Sequence, residues 1–578
     1  MHRRHRRHWL AVASATVLAV VVAACTGGGS KPVITTTTTL RPAATITQGG
    51  DITVAAEGEP GCMDWISTCT GSAWGVWTVE TNTMPRAYDF TRDNQYKPSI
   101  LLTAEADVQT SPEQVVTYRL NPRAVWSDGQ PITSHDFKYT WDQVAHGQNI
   151  QDQSGYKNIV TVDDSDPHVA VVTFSQPFAD WRRLFGGSSG LLPAHILEGN
   201  DRDALMKDGY DWSGGPWRLA LGGWSRGQGI KLVPNVNYWG KKPDLASVTF
   251  RIFHDAAAEA QAFTDGQVVA AYPAPEPASL AYRSIPGALY SLAGGLDYQA
   301  LWFDVAQPAV VSKSVREAVA YSLDRAAIVS QTVGQLFPAA APLQSFVTPA
   351  AGTYYTESFA KYHQDLATAA QLMQSDGYAK GADGMWARST QKATIDVKVS
   401  TASARDQEAA ALIKTQLQAA GFVVTVTPED PQTVLAKDVP AGMFTVALYP
   451  FDFRRQLTAG VPAGAGIDDN DPGMCRLFCS ANIAVAGSGG AGTNNDRISD
   501  PTLDRYLSDL DTNLSDDARL TDVTQAGLIL ADLVPAIPIA ALPDIVVVNT
   551  SKMAVEGGTF SHNLAYGPYE YLNEWYLK

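Results

Sequence analysis

Two serines stand in the Gly-x-Ser-x-Gly pattern that carries the nucleophile of many hydrolases, at Gly186-Gly187-Ser188-Ser189-Gly190 and Gly223-Trp224-Ser225-Arg226-Gly227. A nucleophile elbow needs a strand before the serine and a helix after it. The first match runs into Leu191-Leu192-Pro193 and the second lies in a Gly/Ser/Arg loop, so both read as turns. Asp468-Asp469-Asn470-Asp471-Pro472-Gly473 imitates a calcium loop, but Pro472 takes a ligand position and Cys479 stands where the closing Glu belongs. There is no P-loop and no His-Glu-x-x-His. No catalytic residue, metal site or cofactor is expected.

The cysteines carry more information. Basic residues in MHRRHRR precede sixteen uncharged, mostly apolar residues, Trp9 to Ala24. That is a secretory signal; it falls short of the about 20 residues that span a bilayer. Its end, Val22-Ala23-Ala24-Cys25, resembles the bacterial lipobox, in which the cysteine is diacylated and becomes the new N-terminus. Two buried acyl chains suffice for stable anchoring. Residues 1–24 are thus a signal peptide and 25–45, with its Gly run and the tract Thr35 to Thr39, a lipidated flexible tether. Four cysteines remain as two close pairs, Cys62 with Cys69 and Cys475 with Cys479. An exported chain keeps disulfides, neither pair has zinc-knuckle spacing, and no His lies within five residues of either pair. Two local disulfides are expected.

The whole chain has 578 residues, 45% hydrophobic and 18% charged, which excludes disordered and fibrous classes. Its length predicts about three to four compact units. The net charge is −16, and −20 once the first 24 residues, with four arginines and no acid, are removed. So acidic a body repels phosphate backbones, and no nucleic-acid partner is expected.

The elements follow from periodicity. Ile52 to Ala56 alternates as a first strand, and Gln114 to Leu120, Val169 to Phe174 and Gly229 to Pro234 repeat the strand pattern. Between the first two, Trp65, Trp74 and Trp77 fall within thirteen residues, with small neighbours such as Gly71, Ser72, Ala73 and Gly75. These rings suit a pocket with few polar groups, or core packing. A helix opens at Ser134 with Phe137, Trp141 and Val144 on one face, capped by Ser134 or Thr133. Asp255 to Asp265, Val315 to Thr332 and Asp365 to Met373 read as helices. Ile395 to Ser400, Asp406 to Ala420 with Gly421, and Phe422 to Thr427 repeat strand, helix, strand, which predicts an α/β unit with parallel pairing.

Several segments resemble, in order, the extracellular solute-binding proteins of family 5, the oligopeptide/dipeptide/nickel-binding type of ABC importers, in an actinobacterial-like lipoprotein. Val125 to Phe137, VWSDGQPITSHDF, is similar to that family's D-G-x-P stretch. Gly215-Pro216-Trp217 and Asn235-Val236-Asn237-Tyr238-Trp239 resemble its G-P-Y/W and N-x-x-Y-W segments, and Asp265 to Val268 its Gly-Glu turn, with Val269 in place of the usual acid. Val315 to Arg325, VREAVAYSLDR, resembles its helix ending in Asp-Arg. In physical terms these motifs suit structure: a turn at Asp128-Gly129, an aromatic-packed loop at Tyr238-Trp239, an ion pair at Asp324-Arg325.

The resemblance implies an α/β, two-lobed periplasmic-binding-protein-like fold of class II, the three-segment peptide-binding type. Domain I would comprise residues 46–95, 212–298 and 545–578, domain II 96–211 and domain III 299–544. It implies a monomeric, lipid-anchored binding component on the extracytoplasmic face of the membrane, which takes a small solute, a peptide, in an inter-lobe cleft and delivers it to ABC permease subunits. The other reading is an envelope scaffold or regulator of the same fold that does not transport. Relatives present an acid to the ligand ammonium from a strand-then-loop; here that region is FTVALYPFDF, with Asp452 as its only acid and Tyr449, Pro450 and Phe451 in place of the family Trp. Arg405 lies where relatives place a basic residue facing the cleft, to bind a ligand carboxylate or to sit as a surface charge beside Asp406 and Glu408. Trp302, beside the implied inter-lobe crossing, and Trp65, Trp74 and Trp77 complete the candidate contacts.

Overall fold

A computed structural model describes residues 49–91, 95–186, 190–346, 354–451, 474–484, 493–563 and 566–578. Cys25 with the signal and tether, Ser188 and Ser189, Asp452, and Asp468 to Gly473 lie outside the described residues.

The strand-forming segments assemble mainly into one ten-stranded sheet. Its order is Val423–Glu429, Thr394–Ser400, Val446–Phe451, Ala288–Phe303, Ala536–Asn549, Ala270–Ala271, Asp51–Ala56, Ser247–Ile252, Gly229–Pro234 and Trp217–Ser225. The Thr394–Ser400 strand is parallel to both neighbours, and helix Ala404–Ala420 makes the crossover to Val423–Glu429, as the strand, helix, strand pattern predicts. Gly421 ends that helix at φ 105°, a left-handed position that costs glycine nothing. A separate four-stranded antiparallel sheet, Asp107–Gln109, Val115–Arg119, Val169–Phe174 and Ile159–Asp166, packs with helix Ser134–His146. That helix is capped by Thr133 in a capping box with Asp136, whose other oxygen accepts from the Ala194 backbone N–H at 2.9 Å.

Two long strands, Ala288–Phe303 and Ala536–Asn549, run through the middle of the large sheet. Their ladder breaks register between Gly294 and Tyr298. At this break a Cβ on Gly295 would lie 2.5 Å from the Leu542 carbonyl oxygen, so the strands approach as closely as they do because residue 295 is glycine. The apolar core divides at the same place. One cluster takes residues from Ile52 to Tyr272 and from Val546 to Trp575, and another takes Tyr298 to Leu542. A small third cluster, with Phe253, Phe263 and Tyr282, covers the opposite face of the first half through Ile545 and Val547. Alternation along the last long strand sends Ile545 and Val547 to one face and Val546 and Val548 to the other.

The segment Val315 to Thr332 departs from expectation. It forms two helices, Lys313–Ser322 and Arg325–Gln331, parted at Leu323-Asp324, because the Asp324 carboxylate leaves the helix to accept from the Ala327 N–H at 2.9 Å. Asp324 and Arg325 are not an ion pair. Arg325 is buried and its guanidinium donates to the carbonyls of Leu343, Pro538, Phe359 and Tyr362 and to the Gln344 side chain. Arg316 does the same for Val310, Val311, Leu533 and Val534. Desolvation lowers the Arg325 pKa to about 10, so it stays charged at neutral pH and stitches four chain segments together.

Candidate functional site

The chain leaves the Asp51–Ala56 strand through a loop closed by Cys62 and Cys69, whose Cα atoms are 5.6 Å apart with the sulfurs at bonding distance. Ser72 then caps a short helical run by accepting from the Trp74 N–H at 3.2 Å. That run places Trp74 and Trp77 edge-on at 5.5 Å, and both meet Tyr272, at 6.0 and 5.3 Å between ring centres. Tyr272 directly follows the short Ala270–Ala271 strand, and its hydroxyl donates to the Asp544 carboxylate beside the register break. Trp65 belongs elsewhere. Its indole N–H donates to the Tyr210 hydroxyl at 2.9 Å, and Tyr210 stacks on Trp212. All three tryptophans are buried, at 3%, 5% and 4% exposure for Trp65, Trp74 and Trp77.

Arg405 is not a surface charge. Its side chain is 2% exposed at the start of helix Ala404–Ala420, donating to Asp406 Oδ1 at 3.0 Å and to the Pro275 carbonyl at 2.7 Å, with Glu276 Oε1 at 3.4 Å. Glu276 also accepts from Ser403 Oγ at 2.9 Å, and Gln299 Nε2 donates to Asp406 Oδ1 at 2.7 Å. Glu408 is the exposed acid of the group. The cluster therefore joins the loop after the Ala270–Ala271 strand, in the first half of the molecule, to a helix of the second half. Glu276 carried no sequence signal, because its partner lies 127 to 129 residues away.

Across the register break, Trp302 and Tyr449 stack at 5.3 Å and 18°, and the Trp302 indole donates to the Tyr449 carbonyl at 3.0 Å. Tyr298 and Phe451, paired across the same two strands, stack at 5.6 Å. Trp302 and Tyr449 are buried and Phe451 is half-buried. Beside them lies Asp496, 1% exposed, whose two carboxylate oxygens have no hydrogen-bond partner among the described residues. Burial first, and then the nearby Asp304 charge, push its pKa well above the usual carboxylate range, which favours the protonated form. Sequence reasoning looked for an acid at Asp452 and missed this one, since a loop Asp between Asn495 and Arg497 carries no pattern. The second cysteine pair, Cys475 and Cys479, also lies at disulfide distance, with Cα atoms 4.5 Å apart, and borders the same stack through Phe478.

A further contact joins the two halves away from the shared strands. Arg519 Nη1 meets Asp180 Oδ1 at 2.8 Å, with side chains 13% and 20% exposed, and the Ala179 N–H donates to the Asp511 carbonyl at 2.8 Å. Trp181 belongs to the first core and Val523 and Leu530 of helix Asp516–Leu533 to the second.

The remaining motif serine is a turn residue. Ser225 ends the Trp217–Ser225 strand and its hydroxyl donates to Gln228, in the hairpin that leads to Gly229–Pro234. Its neighbours Trp224 and Gly227 donate to Glu59. Among the described residues no group of three or more His, Cys, Asp and Glu is placed to hold a metal ion, and no helix is long and apolar enough to cross a membrane.

The profile of the bacterial extracellular solute-binding proteins, family 5 (middle), matches residues 100–453. The oligopeptide-binding protein OppA of Mycobacterium tuberculosis is 34% identical over 227 residues, 37% of this chain and 37% of its own length. The probable monoacyl phosphatidylinositol tetramannoside-binding protein LpqW of the same species is 33% identical over 173 residues, 29% of this chain and 26% of its own. These alignments span well under half of the relatives they match. Solved structures share the fold over nearly the whole chain. The periplasmic EDTA-binding protein EppA has a TM-score of 0.78 at 21% identity, covering 92% of this chain and 97% of its own. The oligopeptide-binding protein AppA of Bacillus subtilis, in complex with a nonapeptide, has 0.70 at 17%, covering 92% and 100%.

Proposed function

The chain belongs to the bacterial extracellular solute-binding proteins of family 5, a family of binding proteins and not of enzymes, and from that premise we propose that it is the lipid-anchored binding component of an ABC importer, taking a small solute, a peptide, between two hinged lobes. The observation that carries this reading is the pair of long strands shared by two otherwise separate cores, with a register break and a required glycine where they pass between them. Two adjacent strands bend together more easily than they slide, so the break is the pivot and ligand shifts a pre-existing closing equilibrium.

In this reading domain I comprises residues 46–95, 212–298 and 545–578, domain II 96–211 and domain III 299–544, and the division of the cores near residues 297 and 543 supports it. Trp74 and Trp77, framed by Tyr272, offer an aromatic wall from the first lobe, and Tyr449, Phe451 and Trp302 one from the second. Asp452, directly after Phe451, supplies the acid for a ligand ammonium. Arg405 is the tie that sets lobe orientation through Glu276, since its donors are already committed to protein acceptors. Diacylation of Cys25 holds the monomer at the outer membrane face, with the disulfides Cys62–Cys69 and Cys475–Cys479 intact there.

Calorimetric titration of the exported protein with di- to octapeptides, sugars and nickel tests the proposal. A peptide that binds and contracts the molecule in solution scattering is the expected result. Absence of binding to all of them, with scattering unchanged, removes the transport reading. Fatty-acid incorporation that survives Cys25→Ala removes the anchor.

A further inference from the structure

Ser291, His562 and Asp544 are hydrogen-bonded in series at the edge of the register break. Ser291 lies opposite Val546 and Ala293 opposite Asp544 on the two long strands, so Ser291 and Asp544 share one face of the sheet. That is the face of Val546, in the core that includes Trp74, Trp77 and Tyr272. His562 reaches it from the C-terminal segment. Its Nδ1 is 2.7 Å from Asp544 Oδ2 and its Nε2 is 2.7 Å from Ser291 Oγ.

A carboxylate can only accept, so Nδ1 carries the proton toward Asp544, and the Nε2 lone pair accepts from the Ser291 hydroxyl. The other Asp544 oxygen accepts from the Tyr272 hydroxyl, which fixes the carboxylate plane. Exposure is graded along the chain of bonds. Asp544 is 2% exposed, the His562 side chain 16%, and Ser291 is half-buried, so the acid end is the more deeply buried of the two. Nucleophile, base and orienting acid in this order define an activated serine on whatever fold they occur. Ser225, the described Gly-x-Ser-x-Gly serine, is bonded elsewhere, to Gln228.

The geometry points to Ser291 as an activated nucleophile that accepts one acyl group from an ester-bearing small molecule. Ser291 Oγ bonds to the carbonyl carbon while its proton passes to His562 Nε2. The ester C–O bond breaks, the leaving alkoxide takes that proton from Nε2, and Ser291 is left as an ester beside a neutral imidazole. Asp544 holds the transient imidazolium; Asp544 and Tyr272 are positioning residues. General-base assistance of this kind contributes about 10²- to 10⁴-fold. This reactivity is additional to solute binding and independent of which solute is bound, so its failure leaves the binding reading intact.

The experiment treats the full exported chain with a fluorescent fluorophosphonate and, separately, with p-nitrophenyl acetate. One label on the peptide that contains Ser291, and a burst of one equivalent of nitrophenolate, are expected. Ser291→Ala abolishes both with its melting temperature kept, and His562→Gln slows labelling about 100-fold or more. Carbethoxylation of His562 in the unmutated protein blocks the label, which removes any dependence on whether His562→Gln folds. No label, label on other serines, or labelling at an unchanged rate after His562 is substituted or carbethoxylated overturns the proposal and leaves the three side chains as a tie for the C-terminal segment.

Discussion

Arg519→Gln tests whether the contact between the two halves away from the pivot is a latch. Arg519 meets Asp180 at 2.8 Å with both side chains mostly covered, and its guanidinium lies 5.7 Å from the Tyr354 ring centre. An exposed ion pair is worth about 0.2–1 kcal/mol, and breaking a fully buried one costs about 3–5 kcal/mol. A pair with 13% and 20% exposure falls between, and the Gln keeps one donor for Asp180, so about 1.5 kcal/mol is expected from loss of the pair and the ring contact. In the proposed hinge motion the contact is made with the lobes together and broken when they part. Its loss therefore lowers the closed-to-open ratio about tenfold, at about 1.4 kcal/mol per decade, and raises the solute Kd by up to that factor, according to how far the free protein is already closed. Calorimetry with the solute found by screening reads the Kd, and scattering of the ligand-free protein reads the larger radius of gyration. Asp180→Asn should give a smaller shift in the same direction, and high salt should shrink the difference between variant and parent. If Kd and scattering stay as in the parent while the melting temperature falls, the pair is a static brace and the latch is refuted.

Three further outcomes are expected. Burial, and then the charge of Glu57, push Glu259 up to about 8 while Tyr282 donates to it at 2.7 Å. The folded chain thus keeps a proton that an unfolded Glu releases above about pH 4.3, so this contribution to stability is complete below that pH and is lost as pH rises toward 8. Glu259→Gln should flatten the fall in urea midpoint between pH 5 and pH 8, and an unchanged slope would count against the assignment. Arg325→Met leaves at least two buried carbonyls without a donor and should cost about 3–5 kcal/mol in chemical unfolding, with Arg325→Lys restoring little because an ammonium lacks the fork; a loss under 1 kcal/mol would contradict the stitching role. Gly295→Ala forces the two long strands apart against Leu542 and should lower stability by about 1–3 kcal/mol and weaken solute binding together; normal behaviour in both would move the pivot elsewhere.

Much of the second half was legible locally. The Thr394–Ser400, Ala404–Ala420 and Val423–Glu429 run announced itself through period and a C-terminal glycine, because each signal lies within a few residues of what it specifies. The helix predicted across Val315 to Thr332 broke at Asp324 for an equally local reason, a side chain that prefers capping to continuing. The candidate site was legible only in part. Trp74 and Trp77 were visible as a cluster, yet their third ring, Tyr272, comes from a strand of two residues that no periodicity marks. Arg405 was visible as a charge, but whether it faces solvent or protein depended on Glu276, more than a hundred residues away.

The sequence by itself determined the class of molecule: an acidic α/β chain with paired cysteines, whose motifs lie in family order, because composition and turn chemistry are properties of neighbouring residues. Only the tertiary structure decided that two strands carry both cores, that Arg405 and Arg325 are buried, and that Ser291, His562 and Asp544 meet, because hydrogen bonds across 18 to 271 residues depend on register and not on spacing.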